Sequence, residues 1–250
     1  MKVTILGSGV LIPYPQRGNS GYFLQSEKKK ILIDGGSGTL CRIADNGLNY
    51  REIDTICYSH LHPDHTIDLI PLLFALKHDP LVTRPKSVDI ICPNLFKEHF
   101  NKLIEIYGKW ILDDSIQINI IETYQTELII NNLSIRCNPT EHSENSISFR
   151  FEENGRVLFY SGDTDICDEL IDAGKGSNAA IIECSFPDDQ KTKGHLTPSE
   201  CGQIASTINC EQLILSHFYP EVLQTNIVKT VSKEYDGNII LADDGMTLEI

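Results

Sequence analysis

A chain of 250 residues with 41% hydrophobic content carries enough apolar surface to bury a sizeable core. Its formal net charge of −14 repels polyanions at long range and excludes the basic stripe of a general nucleic-acid binder. No apolar run reaches the roughly 18 residues that a membrane-spanning helix needs, so membrane attachment is not expected either.

In chain order, the apolar start from Met1 to Pro13 is broken by Gly7, Ser8 and Gly9 and has no small-residue cleavage site. It reads as a strand, Lys2 to Leu6, rather than a secretory leader, and the expected location is cytoplasmic. Gly21 to Ser26 and Lys30 to Asp34 flank a charged turn and read as a hairpin. Thr39 to Asn46 follows as a helix, and Thr55 to Tyr58 as a short buried strand closing on Ser59-His60. Pro63 suits the first turn of a helix running to about Leu76. Segment 78 to 132, with a helix from Leu95 to Tyr107, holds few chemically telling residues and is a candidate pocket wall. A second hairpin is written in "SISFRFEENGRVLFYSGD", where Asn154-Gly155 is a strong two-residue turn signal. A helix follows from about Asp165 to Ala173. Another, opened by Thr197 with Glu200 as a capping box, reaches about Ile208, and a strand from Leu213 to Leu215 closes on Ser216-His217.

The two halves share a grammar of hairpin, aspartate beside glycine (Asp34-Gly35 and Gly162-Asp163), helix, and apolar strand ending in Ser-His. This predicts two related βα units facing each other, with His217 the twin of His60. Strands interleaved with helices in both halves predict an α/β fold: an αββα sandwich of two mixed β-sheets with helices on the outer faces. No Pro/Gly/Ser-rich linker divides the chain, so residues 1–250 are expected to form one domain.

The eight cysteines (Cys41, Cys57, Cys92, Cys137, Cys167, Cys184, Cys201 and Cys210) include no Cys-x-x-Cys pair and mostly lie in apolar stretches. Buried reduced thiols are the expectation. Gly7-Ser8-Gly9 lacks the third glycine of a dinucleotide-binding turn, and the prolines after it forbid an immediate helix.

The densest chemistry is "SHLHPDH", residues 59 to 65, which sets His60, His62, Asp64 and His65 within six positions. Pro63 biases His62 toward extended backbone, so His60 and His62 point the same way, while Asp64 and His65 open the helix and project elsewhere. One short segment thus addresses two neighbouring points, each needing about four ligands or three plus water. The remainder must come from afar, and His142, Asp163 and His217 stand at element ends where a rigid sheet presents ligands. Asp34 caps the following helix, closes the turn at Gly35-Gly36, or orients a metal-bound histidine. His78 and His99 read as surface helix residues.

These motifs, together with "LGSG" (6 to 9), "LIDGGSGT" (32 to 39), "EHS" (141 to 143), "YSGDT" (160 to 164), "GHLTPSE" (194 to 200) and "LSHFYP" (215 to 220), resemble the metallo-β-lactamase superfamily. Within it they resemble the ribonuclease Z-like phosphodiesterase branch, from one end of the chain to the other. The resemblance implies two divalent metal ions, zinc first, with manganese or iron accepted by the same donors. It places His60, His62 and His142 on one ion, Asp64, His65 and His217 on the other, and Asp163 between them. It further implies Glu183 orienting His195 at the scissile phosphate. Two such ions, about 3.5–4 Å apart, hold a bridging hydroxide that attacks the substrate. In this reading Asp64 helps to orient the hydroxide and His195 assists the leaving oxygen.

The expected function is therefore hydrolysis of a small phosphodiester. The alternatives are a lactone or thioester hydrolase on the same metal centre, which would make His195 dispensable, and tRNA 3′ processing. Against the last, only 20 residues separate His142 from Asp163, too few for the arm by which ribonuclease Z grips tRNA, and Leu196 stands where that enzyme usually has serine. The expected partner is a small-molecule phosphodiester. A nucleic acid is not favoured, a membrane is not expected, and a homodimer is compatible with everything above.

Overall fold

The computed structural model describes all 250 residues. The first half runs β1 (Lys2–Gly7), β2 (Gly21–Gln25), β3 (Lys30–Ile33), α1 (Thr39–Asp45), β4 (Thr55–Cys57), α2 (Pro63–Thr66), α3 (Leu69–His78), β5 (Lys86–Cys92), α4 (Phe96–Tyr107) and β6 (Ile116–Glu122). The second runs β7 (Thr126–Ile130), β8 (Leu133–Pro139), β9 (Ile147–Glu153), β10 (Arg156–Tyr160), α5 (Asp168–Gly174), β11 (Ala179–Glu183), α6 (Pro198–Ile208), β12 (Gln212–Ser216), α7 (Ile227–Val231) and β13 (Asn238–Leu241). Strand β14 (Thr247–Glu249) then returns to the first sheet.

The first half with β14 builds one seven-stranded mixed sheet, ordered β14-β1-β2-β3-β4-β5-β6, and β7 to β13 build the other, ordered β13-β12-β11-β10-β9-β8-β7. Period-two alternation decides which side chains meet. Val3, Ile5, Tyr22, Leu24, Ile31, Ile33, Cys57 and Ile91 point into the core shared with the second sheet. Their neighbours Leu6, Phe23, Leu32, Ile56, Ile90 and Cys92 pack with Ile43 of α1, Leu72 and Leu73 of α3, and Phe96 and Phe100 of α4. Helices α5 and α6 contribute Leu170, Ala173, Ile204 and Ala205 on the second sheet. This is the expected metallo-β-lactamase sandwich, with helices over the outer faces. No helix is long and apolar enough to cross a membrane.

Local expectations resolve in detail. Asn154 and Gly155 both have positive φ (53° and 72°), as a two-residue hairpin turn requires. The helix expected from Pro63 to Leu76 divides in two. The Asp68 N–H donates to Gly35 O rather than continuing the ladder, Pro71 has no N–H to offer Ile67, and the Asp68 carboxylate instead accepts from the N–H groups of Gly38 and Leu40 at the start of α1. The helix after Asp163 begins at Asp168, three residues late, because Asp165 N–H bonds Glu141 O and its carboxylate accepts from Gly194. All eight cysteines are free; Cys41 is exposed, Cys167 half-buried and the rest buried.

The strand orders are equivalent from edge to edge: antiparallel hairpins lead into three successive parallel pairings in each sheet. One expectation is corrected by this topology. The strand equivalent to β4 is β11, not β12, so the twin of Ser59-His60 is the Cys184-Ser185 end. The Ser216-His217 end corresponds to that of β5, because the second half carries its ligand histidine one strand further out.

Gly36 ties the sandwich to the motif loop. A Cβ there would lie 2.0 Å from Asp64 O and 2.4 Å from Asn19 Cβ, both fixed. Gly36→Ala is expected to destabilise the fold by about 1–3 kcal/mol through overpacking. The urea midpoint measures this, and an unshifted midpoint would contradict it.

Candidate metal centre

The parallel strands β3, β4 and β5 in one sheet and β10, β11 and β12 in the other bring their carboxyl ends to one edge, the position where open sheets present ligands. His60 lies three residues past β4, Asp163 three past β10, Glu183 ends β11, and His217 immediately follows β12. His142 comes from the β8–β9 loop, and His62 is the N-cap residue of α2, in extended backbone (φ −63°, ψ 149°) as Pro63 demands.

All seven expected ligands converge. His60, His62, His142 and Asp163 form one cluster, and Asp64, His65 and His217 another, with the donor atoms of each within 4.8 Å of one another. Asp163 lies between them. Its Oδ2 is 3.8 Å from His60 Nε2, 3.7 Å from His142 Nε2 and 3.4 Å from His217 Nε2, and its Oδ1 is 3.4 Å from His65 Nε2. His62 Nδ1 lies 3.1 Å from His142 Nε2, and His65 Nε2 lies 3.3 Å from His217 Nε2. Donors about 2.0–2.1 Å from a tetrahedral ion stand roughly 3.3–3.4 Å apart. The spacing is that of donors aimed at common points rather than at each other.

The second nitrogen of most rings is held by the chain. Ser59 Oγ is 3.0 Å from His60 Nδ1, Gly194 O accepts from His142 Nδ1 at 2.8 Å, and Ser185 Oγ is 3.0 Å from His217 Nδ1. Asp34 Oδ2 is 2.8 Å from His65 Nδ1 and also accepts from Ser59 Oγ and the Tyr160 hydroxyl, while its Oδ1 accepts from Ser59 N. The open question about Asp34 is thereby answered: it is fully buried, does not cap α1, and orients His65. Asp34 and His217 both have positive φ (52° and 58°), a strained conformation of order 1–3 kcal/mol that the surrounding bonds maintain. Sequence reasoning did not single out Ser59, Tyr160 or Ser185. The Ser-His dipeptide at 59 to 60 was the available signal for the first.

Glu183 and His195 also meet. Glu183 is 2% exposed and accepts from Thr164 N (2.7 Å), Ser185 Oγ and His195 Nδ1 (3.1 Å). His195 Nδ1 lies 3.9 Å from Asp163 Oδ2. The capping box of Thr197 and Glu200 anchors the loop two residues later. His78 is exposed, as expected; His99 is half-buried against a cleft beside α3.

Two buried atoms test whether a cation fits. His60 Nε2 and Asp163 Oδ1 have no hydrogen-bond partner, although a polar atom left so costs free energy. Burial, then the neighbouring His65, holds His60 well below its ordinary range, so its ring is neutral with a free lone pair. At His65 burial acts downward, but the charges of Asp163 and Asp34 outweigh it and hold the ring protonated well above its usual value. A proton there occupies a place suited to a cation. Neutral imidazoles and carboxylates of this kind are the donor set of zinc, manganese or iron.

A sequence profile of the beta-lactamase superfamily domain matches residues 29–218. The chain is 26% identical to the probable metallo-hydrolase YhfI of Bacillus subtilis over all of both chains. The crystal structure of YhfI superposes with a TM-score of 0.87 at 24% identity, covering 100% of this chain and 99% of that one. The short form of human tRNase Z superposes with a TM-score of 0.82 at 23% identity and the same coverage. A diphosphatase of the PhnP family gives 0.74 at 20% identity, covering 100% and 97%.

Because a metal must displace the His65 proton, affinity is expected to rise steadily from about pH 6 to about pH 8 with proton release. Competition titration against a chelating dye measures it, and a flat profile would contradict the assignment. Asp34→Asn, which removes the charge behind His65, is expected to weaken metal binding by about 10- to 100-fold with the fold retained. Metal content after dialysis, read beside the circular dichroism spectrum, decides it.

Proposed function

As this chain belongs to the metallo-β-lactamase superfamily, we propose that it is a metal-dependent hydrolase with a binuclear centre, most readily zinc, acting on a small phosphodiester. His60, His62 and His142 hold one ion, Asp64, His65 and His217 the other, and Asp163 both. Such a centre supplies an activated water at neutral pH and polarises a phosphoryl oxygen.

The observation that carries the phosphodiester reading is the Glu183–His195 pair beside Asp163. Glu183 binds Nδ1 of His195, which leaves Nε2 free to face a substrate. Burial lowers the affinity of the ring for a proton, but the hydrogen bond and charge of Glu183 outweigh it and hold His195 at about 8. The ring is then a charged donor near neutrality. As water adds to phosphorus and the ester P–O bond breaks, the Nε2 proton passes to the departing oxygen, the water gives up one proton to solvent, and the ring takes one back from solvent. A thioester, whose thiolate leaves readily without a proton, would not need this donor. Asp64 stays ionised, at about 2, because although burial raises it the hydrogen bond and charges of His217 and His65 outweigh that. It therefore offers an acceptor to orient the incoming water.

A small substrate is favoured over tRNA because the stretch between His142 and Asp163 is taken up by β9 and β10 and holds no long arm. A cytoplasmic location and a one-domain organisation belong to the same proposal.

His195→Ala is expected to lower kcat on bis(4-nitrophenyl) phosphate by about 100-fold or more while metal content stays at that of the wild type. Undiminished turnover would remove His195 from the reaction. In the same assay series, hydrolysis of homoserine lactone or a glutathione thioester without any diester turnover would overturn the substrate class.

A further inference from the structure

Two aromatic rings stand at the mouth of the metal centre without a part in the chemistry above. Phe186 and Tyr219 stack with centroids 4.3 Å apart and planes at 29°. Phe186 meets the His195 ring edge-on at 5.6 Å. Tyr219 meets His195 at 5.9 Å and His217 at 6.0 Å. Each ring comes from a loop directly after a strand that supplies the site, and each immediately precedes a proline, Pro187 or Pro220, which restricts its backbone to extended conformations. The loops are pinned: Ser185 N and Phe186 N both donate to Leu196 O, and Phe218 N donates to Ser8 O.

A second aromatic pair in the same protein shows what rings look like when they only support a site. Tyr22 and Tyr160, 5.0 Å apart, are 1% and 3% exposed, and their hydroxyls are spent on Ser216 and Asp34. Phe186 and Tyr219 differ in each respect. Both are only half-buried, and the Tyr219 hydroxyl bonds nothing within the chain. Rigid, part-exposed rings beside a phosphate-directed histidine offer stacking area that the fold itself leaves unused.

We infer that Phe186 and Tyr219 form a ring platform that receives the base of a nucleoside-bearing phosphodiester. The inference rests on the phosphodiesterase reading and narrows it to nucleotides. Both rings lie within 6 Å of the His195 ring, so a base on them and a phosphate beside His195 would belong to one ligand. Every base has a π face, so the platform selects for the presence of a base more than for its identity. Removing one stacking ring changes affinity by roughly five- to a hundredfold.

The test compares two ligands that differ only in the base, adenosine 5′-monophosphate and ribose 5-phosphate, by calorimetry on the metal-loaded protein. The wild type is expected to bind the nucleotide at least about tenfold more tightly, and Tyr219→Leu and Phe186→Leu to bring that ratio within about threefold. Tyr219→Phe, which keeps the ring, should keep the preference. Equal affinity for the two ligands in the wild type, no binding of the nucleotide, or a preference that survives both leucine variants would each overturn the platform. Diester turnover is read separately. A preference for the nucleotide without turnover of bis(4-nitrophenyl) phosphate would uphold the platform and sink the phosphodiesterase reading.

Discussion

The structure depends on a carboxylate in the wrong place. Asp163 is 3% exposed, at the meeting of two sheets, with four ring nitrogens within 3.8 Å and one oxygen unbonded. Burying a charge is expensive unless it is paired; the neutral His60 ring does not pair it, and the proton on His65 does so only in part. Asp34, Asp64 and Glu183 lie buried or mostly covered around it, so the edge of the sandwich collects negative charge that only cations or protons can balance. Around Asp163 the neutral His60 presents a lone pair and the proton on His65 holds the place of a cation, and together these make the polar interior a candidate metal site.

The sheets exist, in this light, to hold that cluster open against relaxation. Each ligand loop leaves a strand paired on both sides, and the loops are tied to one another: Asp34 to Ser59 and Tyr160, Glu183 to Thr164, Gly194 to His142. Gly36 lets the Asp64 backbone approach within reach of Asn19, where any Cβ would intervene. The strained φ at Asp34 and His217 is maintained by the same ties. Cross-bracing of this kind makes a first ligand's position depend on residues from four different strands.

Much of this was legible in the sequence because it obeys short-range rules. Period-two alternation marked the strand from Lys2 to Leu6, Asn154-Gly155 announced its turn, and Pro63 set the direction of His62. Metal donors are legible for a similar reason, since few other arrangements explain His60, His62, Asp64 and His65 so close together. Long-range effects were not legible. The break between α2 and α3 arises where Asp68 turns to a distant helix end, and Asp34 was undecided because its partners Tyr160 and His65 are far away in sequence. The equivalence of the two Ser-His ends failed for a topological reason: the dipeptide repeats, but the number of strands before it does not. Phe186 and Tyr219 had a sequence sign of their own, aromatic-proline twice, which means little until the fold sets the two loops side by side.

The charge of −14 is consistent with a nucleotide substrate once distance is considered. At physiological ionic strength the Debye length is about 8 Å, so a surface carboxylate two or three such lengths away is nearly invisible to a ligand seated beside His195. Under the proposed reading, a small diester would respond to a local metal centre and to the rings next to it. A tRNA, lying across much of the surface, would meet the acidic exterior at every phosphate and lose affinity at each. The acidic exterior and the pinned aromatic loops then act in the same direction. The first discourages long polyanions, and the second, as proposed, would give a short one a place to rest its base, so size selection would need no dedicated gate.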